Sequence, residues 1–263
     1  MKKSGWKIIL GVAVLVCVIC LGRFGWVKYQ DYKTEQARKA TLKEIASTEF
    51  TGENEGKEPE KVPAGVKHGQ KINFKKLIKI NSDIYAWIYV PGTRIDYPVA
   101  QSQESDDHYL KYNFKNEPEF AGCIYTEKAN KKDFFRSKHS IYGHNMRNGS
   151  MFQNLHKFED EAFFKKHKEV YVYTPKKTYT YTIFAAYKFD DRHLLKTFNF
   201  KNKKKFENYL RNVKNIRDMG SHVRKDQEVT SNDKIITLST CVGGQPNNRY
   251  LVQAVLTDER STK

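Results

Sequence analysis

Cysteine is scarce in this chain, and its scarcity limits the kinds of site that the sequence can build. Four cysteines occur among 263 residues, and two of them lie inside an apolar N-terminal run. The other two, Cys123 and Cys241, allow at most one disulfide. Outside that run, no pair of Cys or His residues except His139 and His144 has the spacing of metal ligands. We therefore expect no metal and no cofactor, and the two thiols are either free or joined to each other.

Acidic residues are also in the minority, since 30 Asp and Glu stand against 47 Lys and Arg and give a formal net charge of +17. Such a charge can indicate a nucleic-acid partner, because clustered cations release counterions from phosphate. Here the lysines are spread along the whole chain, and no DNA- or RNA-binding motif accompanies them. An anionic cell envelope suits the same charge. We expect no nucleic-acid partner.

The N-terminal apolar run lacks the small-residue cleavage site of a secretory signal peptide. Residues 8–21, IILGVAVLVCVICL, follow three lysines and precede Arg23 and two aromatic residues, where small residues would be needed. With Arg23 at the far boundary, the run reaches Val27 and spans about 20 residues, enough to cross about 30 Å of hydrocarbon. A cleaved signal peptide is the alternative. The sequence favours an uncleaved anchor over residues 8–27, with the N-terminus inside the cell and the remainder outside.

Composition divides the chain into three parts. Residues 1–28 hold a cytoplasmic tail and the transmembrane anchor. Residues 29–70 begin with polar helix formers, which predict an exposed stalk, and continue over 51–70 as a linker rich in Gly, Pro and charge. Bulky apolar residues return near Lys71, so we expect an extracellular catalytic or binding domain over residues 71–260.

The domain after the linker has the pattern of a mostly β protein. Eight short strands in one domain imply a barrel or a sandwich. They are predicted from runs of aromatic and β-branched residues at 86–90, 95–101, 122–126, 140–143, 170–174, 179–189, 234–240 and 250–256. A hairpin turn is predicted at Pro175-Lys176-Lys177.

Helices are predicted at three places in the same domain. Asn73 caps a short helix with Phe74, Leu77 and Ile78 on one face. A second short helix lies in FEDEAFFKKH, after Met151. The third lies in a connection of about 45 residues before the cysteine strand, far longer than an ordinary loop. Its apolar residues have helical spacing: Phe206, Tyr209, Leu210, Val213 and Ile216.

The segment KIITLSTCVGGQPNNRYLVQAVL places Cys241 at the end of one predicted strand and Arg249 at the start of the next. A thiol is a strong nucleophile only as thiolate, which needs a nearby base or cation. His144 is the preferred base, because it follows a short strand and Gly143, where a sharp turn would leave the ring at the strand end. His139 precedes that strand and is expected at its opposite end.

Arg249 is the third member of the predicted site. If the two strands are antiparallel neighbours, the step from Cys241 to Arg249 sets thiol and guanidinium on one rim, where a fixed cation stabilises an acyl-transfer oxyanion. The alternatives are a hydrogen-bonded loop histidine for His144 and a surface cation for Arg249. Four other histidines outside the linker are expected to be solvated: His156, His167, His193 and His222.

These segments together resemble the sortase family of Gram-positive transpeptidases. The resemblance rests on TLSTC, followed by a short loop and RYLVQAVL, with IYGHNM well upstream. It covers nearly all of residues 71–257. NSDIYAWIYVPGTRIDYPVAQ, AGCIYT, YGHNMRNGSMF and the long helical insertion are similar to class B in particular.

The resemblance implies a closed eight-stranded β-barrel with an N-terminal helix and a helical insertion before the cysteine strand. It also implies a membrane-anchored, extracellular transpeptidase in which Cys241 attacks the Thr carbonyl of a C-terminal sorting signal. His144 would be the general acid and base, and Arg249 the oxyanion or substrate stabiliser. The thiol and imidazole would be mostly neutral at rest. An amine of a peptidoglycan precursor or cross-bridge would then resolve the thioacyl enzyme.

Substrate contacts follow from the same match. Leu110, Tyr142 and Ser239 correspond to positions that line the sorting-peptide groove, and the insertion around residues 190–218 corresponds to its wall. Ordinary barrel packing is the alternative for each. The implied partners are surface proteins with an NPxTx-like signal. The loop VGGQPNN lacks the acidic residues that some relatives carry there, so no carboxylate is assigned to His144.

Two other functions remain open at this point. A hydrolytic cysteine peptidase would use the same thioacyl step, with water in place of the amine. A non-enzymatic wall-binding module would instead join Cys123 and Cys241 in a structural disulfide.

Overall fold

The computed structural model describes residues 3–46, 72–134 and 138–261, which form two compact units divided near Ile45. The first unit is one long helix, α1 (Lys3–Ala46). Its segment Ile9–Tyr29 is long and apolar enough to cross a membrane and is a candidate span. The predicted stalk continues the same helix up to Ala46. The linker over 51–70 lies outside the described residues, and the three-part division remains a prediction.

Nine strands occur among the described residues of the second unit. Their bounds are β1 Ile84–Tyr89, β2 Asp96–Ala100, β3 Ile124–Tyr125, β4 Lys138–Tyr142, β5 Glu169–Tyr173, β6 Lys177–Asp190, β7 His222–Val223, β8 Ile235–Val242 and β9 Gln245–Ser261. Eight of them pair in the order β5-β1-β2-β3-β4-β8-β9-β6, and a β5–β6 pairing closes the ring. The predicted closed eight-stranded barrel is therefore confirmed. β7 adds to β6 outside the ring and was not predicted, because two residues carry no periodicity.

Side-chain alternation explains why these segments are strands. In β6, Tyr179, Tyr181 and Ile183 are buried, while the threonines between them are partly exposed. Successive side chains of a strand point to opposite faces, so this pattern fills the barrel on one side only. The predicted hairpin forms where the Thr174 N–H donates to the Lys177 carbonyl oxygen at 2.8 Å and the Lys177 N–H donates to Thr174 Oγ1 at 3.0 Å, at the start of β6.

Five helices and two 3₁₀ helices occur among the described residues. After α1 they are α2 Phe74–Ile80, η1 His108–Leu110, η2 Gln153–Glu159, α3 Glu161–Lys166, α4 Leu194–Thr197 and α5 Lys203–Lys214. The Asn73 carboxamide accepts a hydrogen bond from the Lys76 N–H at 2.9 Å and caps α2 as predicted. Phe74 and Leu77 are buried, but Ile78 is 43% exposed. Ile78 follows Leu77 directly and is therefore turned about 100° away from the buried face.

The long insertion before β8 contains α4 and α5, and it packs against the barrel as predicted. Phe206, Tyr209, Leu210 and Val213 of α5 are buried in one cluster with residues of β6, β8 and β9. Ile216 lies beyond the end of α5 and is only partly buried. A connection of this length stays ordered here because it buries an apolar helix face of its own.

Candidate active site

One cleft, with a volume of about 360 Å³, opens at the barrel edge where β4 and β8 end. Residues of the insertion, including Asp191 and Leu194, lie on its wall. The cleft is lined by every residue that the sequence predicted for the site: Leu110, Tyr142, His144, Ser239, Cys241 and Arg249. The fold therefore brings together residues from distant parts of the chain.

Parallel pairing of β4 with β8 brings the histidine and the cysteine to one edge. Tyr142 is opposite Ser239 in this ladder, and the Gly143 N–H donates to the Ser239 carbonyl at 3.2 Å. His144 and Cys241 each lie two residues beyond that pair. Because parallel strands run in the same direction, both residues leave the sheet at the same edge.

Antiparallel pairing of β8 with β9 brings the arginine to the same edge. Cys241 is directly opposite Arg249 in the ladder. Arg249 does not begin its strand, as the sequence suggested, because β9 starts at Gln245 after a two-residue turn at Gly243-Gly244. Gly244 has φ of +72°, a conformation that few other residues adopt without strain. The predicted polar loop is thus mostly strand.

A β-bulge next to the turn holds the Arg249 guanidinium. The ladder register jumps from Cys241 opposite Arg249 to Val242 opposite Gln245, which leaves extra residues on β9. Arg249 Nη1 donates to the carbonyl oxygens of Pro246 at 2.8 Å and Asn248 at 3.0 Å. These contacts fix part of the guanidinium fork and restrict the side chain at the rim of the cleft.

The His144 ring is oriented by the main chain of η1. Its Nε2 lies 2.9 Å from the Leu110 carbonyl oxygen, which can only accept, so Nε2 carries a proton. In the neutral ring the proton acceptor is then Nδ1. Phe120, 82% exposed, stacks on the imidazole with ring centroids 5.9 Å apart. The sequence named Leu110 as a substrate contact and gave no sign that its carbonyl orients the histidine.

Gly143 is required at the end of β4 for a different reason from the predicted one. It does not have a positive φ. A Cβ at this position would lie 2.4 Å from Ile124 Cδ1 and 2.8 Å from Phe152 Cγ. The Gly143 carbonyl also accepts a hydrogen bond from Thr240 Oγ1 at 2.9 Å. Close packing, rather than a sharp turn, therefore demands glycine beside His144.

The floor of the cleft is formed by Tyr142 and Ser239. Ser239 is buried, and the Tyr142 ring stacks on Tyr125 at 5.5 Å. Burial raises the pKa of Tyr142, and the nearby Glu127 carboxylate raises it further. Glu127 is also paired with His193. Tyr142 therefore stays protonated at neutral pH and can donate a hydrogen bond.

Two histidines that the sequence assigned to solvent have specific roles in the structure. His193, which lines the cleft, binds Glu127. His156 Nε2 lies 3.0 Å from the Cys241 carbonyl oxygen. Local polarity of the sequence suggested solvated rings, but both contacts join residues far apart in the chain and leave no local pattern. His139, by contrast, is buried within β4, where it stacks on Phe134.

The two cysteines outside α1 have different environments. Cys241 is exposed, whereas Cys123 is buried, and both are free thiols. Cys123 Sγ lies 3.8 Å from the Pro98 carbonyl oxygen. The alternative of a disulfide between Cys123 and Cys241 is therefore not borne out. The wall-binding module, which depended on that disulfide, is not supported either.

Comparison with known proteins gives consistent matches. A family model described as the sortase domain matches residues 88–257. Sortase B of Listeria monocytogenes is 33% identical over 215 residues, which cover 81% of this chain and 78% of that protein. The crystal structure of Clostridium perfringens sortase B superposes with a TM-score of 0.64 at 36% identity, covering 70% of this chain and all of that one. For Bacillus anthracis sortase B the TM-score is 0.70 at 28% identity, with 88% and 99% coverage.

Proposed function

We propose that this chain, which belongs to the sortase family as a class B member, cleaves a C-terminal sorting signal at threonine through a thioacyl intermediate on Cys241. Family membership makes the chain a cysteine transpeptidase that attaches surface proteins to the cell wall. Its substrates are therefore surface proteins with sorting signals and a cell-wall amine. The arrangement that most supports the proposal is the meeting of Cys241, His144 and Arg249 at one barrel edge.

The first half of the reaction forms a thioester. His144 Nδ1 takes the proton of the Cys241 thiol, and the sulfur attacks the threonine carbonyl carbon of the bound signal. The Arg249 guanidinium, whose Nη1 donates to two bulge carbonyls, stabilises the tetrahedral oxyanion. The C–N bond then breaks, and His144 returns the proton to the departing amine.

The second half transfers the acyl group. A peptidoglycan amine attacks the thioester carbonyl carbon, and His144 accepts a proton from that amine. The C–S bond breaks, the Cys241 thiol is restored by the same proton, and the surface protein leaves joined to the wall precursor. Arg249 stabilises the second oxyanion as it did the first.

Substrate recognition is proposed for the cleft floor and wall. Tyr142 and Ser239, whose side chains carry hydroxyl groups, line the cleft together with Leu110. An NPxTx-like pentapeptide in extended form would lie between this floor and the insertion at residues 190–194. The α1 segment Ile9–Tyr29 would hold the enzyme in the membrane, close to the lipid-linked wall precursors and to newly exported substrates.

Substitution of the nucleophile tests the proposal. Cys241→Ala in the whole chain, purified in detergent, is expected to abolish cleavage of fluorogenic sorting-signal peptides while leaving the thermal midpoint unchanged. Cys123→Ala is the matched control, since it removes the other thiol of the barrel unit at a buried position outside the cleft. Continued turnover by Cys241→Ala would refute the assignment.

A further inference from the structure

The Cys241 main-chain carbonyl is held by side chains rather than by a neighbouring strand. In the β4–β8 ladder the Ser239 carbonyl accepts from the Gly143 N–H. Carbonyls two residues apart in a strand point the same way, so the Cys241 carbonyl faces the side where β4 has already ended. Two donors occupy the gap: Asn145 Nδ2 at 2.9 Å and His156 Nε2 at 3.0 Å.

His156 is fixed by contacts on both sides of its ring. Its Nδ1 lies 2.7 Å from Glu159 Oε1, and the ring packs on Tyr250 with centroids 5.2 Å apart. The His156 side chain is 17% exposed, whereas that of Glu159 is 44% exposed. The contact at Nδ1 holds the ring in place, and the Cys241 carbonyl oxygen, which can only accept, requires a proton on Nε2. Glu159 thereby aims the Nε2–H of His156 at Cys241.

The carbonyl contact has a direct geometric effect on the nucleophile. Fixing the Cys241 carbonyl fixes the plane of the peptide that follows Cys241 and so restricts the direction of its Cα–Cβ bond. The strand ladder cannot do this alone, because the register shifts between Cys241 and Val242. Asn145, directly after His144, donates to the same oxygen and so links the loop that follows β4 to β8.

We infer that His156, aimed by Glu159, is a positioning residue that acts through the Cys241 carbonyl to hold the thiol in register with His144 and the scissile bond. The inference rests on the proposed function, because it assigns His156 to that reaction. A misplacement of about 1 Å at a reacting group can cost about 100-fold in rate. The competing explanation is that the His156–Glu159 pair only stabilises η2.

Two substitutions at the same position separate these explanations. His156→Phe keeps a ring against Tyr250 but removes both N–H groups. His156→Gln restores a terminal amide N–H near the position of Nε2. His167→Phe is the matched control, because His167 is a partly buried histidine that stacks on Phe163, away from the cleft.

The expected result is a loss in kcat with little change in KM. For the whole chain in detergent, His156→Phe should lower kcat for a sorting peptide about 10- to 100-fold, with KM within about twofold. His156→Gln should recover to within about fivefold of the parent chain, and Glu159→Gln should fall between them. His167→Phe should match the parent chain. If His156→Phe lowers only the thermal midpoint, or if His156→Gln fails to recover, the inference is wrong.

A second measurement keeps this inference separate from the proposed function. The rate at which a methanethiosulfonate reagent modifies Cys241 needs no sorting peptide and can be followed by mass spectrometry. A thiol displaced from His144 forms less thiolate, so His156→Phe should slow modification about 3- to 10-fold and His156→Gln should restore it. Equal rates in all variants would overturn the inference, whereas a parent chain that leaves every peptide intact would overturn the proposed function.

Discussion

The tight packing at Gly143 gives the sharpest prediction about this site. Gly143→Ala adds one methyl group between Tyr142 of the cleft floor and His144. The new Cβ would meet Ile124 Cδ1 at 2.4 Å and the Phe152 ring at 2.8 Å. The Ile124 methyl is the end of a side chain and can rotate away. Phe152 is fully buried, so its ring has little room to move.

The expected magnitude follows from these two contacts. Contacts below 3.0 Å are essentially never seen for a Cβ atom. Since the Phe152 ring is confined, part of the relief must come from movement of the Gly143 backbone. Overpacking of this kind costs about 1–3 kcal/mol in free energy of unfolding. For a unit of this size that corresponds to a fall in thermal midpoint of about 2–12 °C.

Gly143→Ala should lower kcat/KM strongly while most of the chain stays folded. The Gly143 N–H and carbonyl are bonded to Ser239 and Thr240, so a backbone shift moves His144 relative to the cysteine strand. A shift approaching 1 Å would lower kcat/KM by about 10- to 100-fold. The assay is cleavage of a fluorogenic sorting peptide, with thermal unfolding followed in parallel on the same preparation.

Gly243→Ala is the matched control. Gly243 lies in the turn after Cys241, has no positive φ, and no atom lies within 4 Å of a Cβ built on it. This variant should keep the parent thermal midpoint and stay within about threefold of the parent kcat/KM. Parent-like behaviour of Gly143→Ala, or equal damage in both variants, would refute the packing argument.

Three further predictions concern the oxyanion, a buried amine and the acceptor. Arg249→Lys should lower kcat/KM at least about 100-fold, because an ammonium lacks the planar fork; near-normal kinetics would remove Arg249 from the site. Burial holds the pKa of the Lys138 amine well below its ordinary value of 10.5. Between that lowered pKa and pH 10.5, Lys138 is protonated in the unfolded chain but neutral in the folded one. The contribution of Lys138 to the free energy of unfolding therefore rises with pH over this range. Because Lys138→Met removes this pH-dependent contribution, the free energy of unfolding of the variant relative to the parent chain should fall as the pH rises toward 10.5 in denaturant titrations; a difference independent of pH would contradict this assignment. Finally, adding an amine nucleophile should convert cleaved peptide into amide product by mass spectrometry, whereas exclusive hydrolysis at every amine concentration would favour a peptidase.

The sequence predicted the barrel well because most of its strands carry their own pattern. Long β6 alternates aromatic and threonine side chains, and α5 repeats apolar residues at helical spacing. Such periodicities are local and can be seen without knowing the neighbours. The predicted ends of the strands were less accurate. The start of β9 at Gln245 depends on the turn and the bulge, which form only when β8 is opposite.

The catalytic trio was predicted from a family resemblance and from residue chemistry. The structure places all three residues in one cleft, and their roles remain proposals. Contacts around the trio were not predicted, because each joins chain segments far apart: Leu110 with His144, His156 with Cys241, and Glu127 with His193. The packing that demands Gly143 was likewise attributed to turn geometry.

The sequence by itself determined the kinds of groups available to this protein: a thiol at the end of a strand, an imidazole after a glycine, an arginine across a short loop, and an apolar segment long enough for a membrane. These depend on residue type and on spacing along the chain, which the sequence contains directly. Only the tertiary structure decided which groups meet, which nitrogen of His144 is protonated, and what holds the cysteine carbonyl. Those properties are set by parallel and antiparallel strand pairing, and pairing depends on contacts between segments that are distant in the chain.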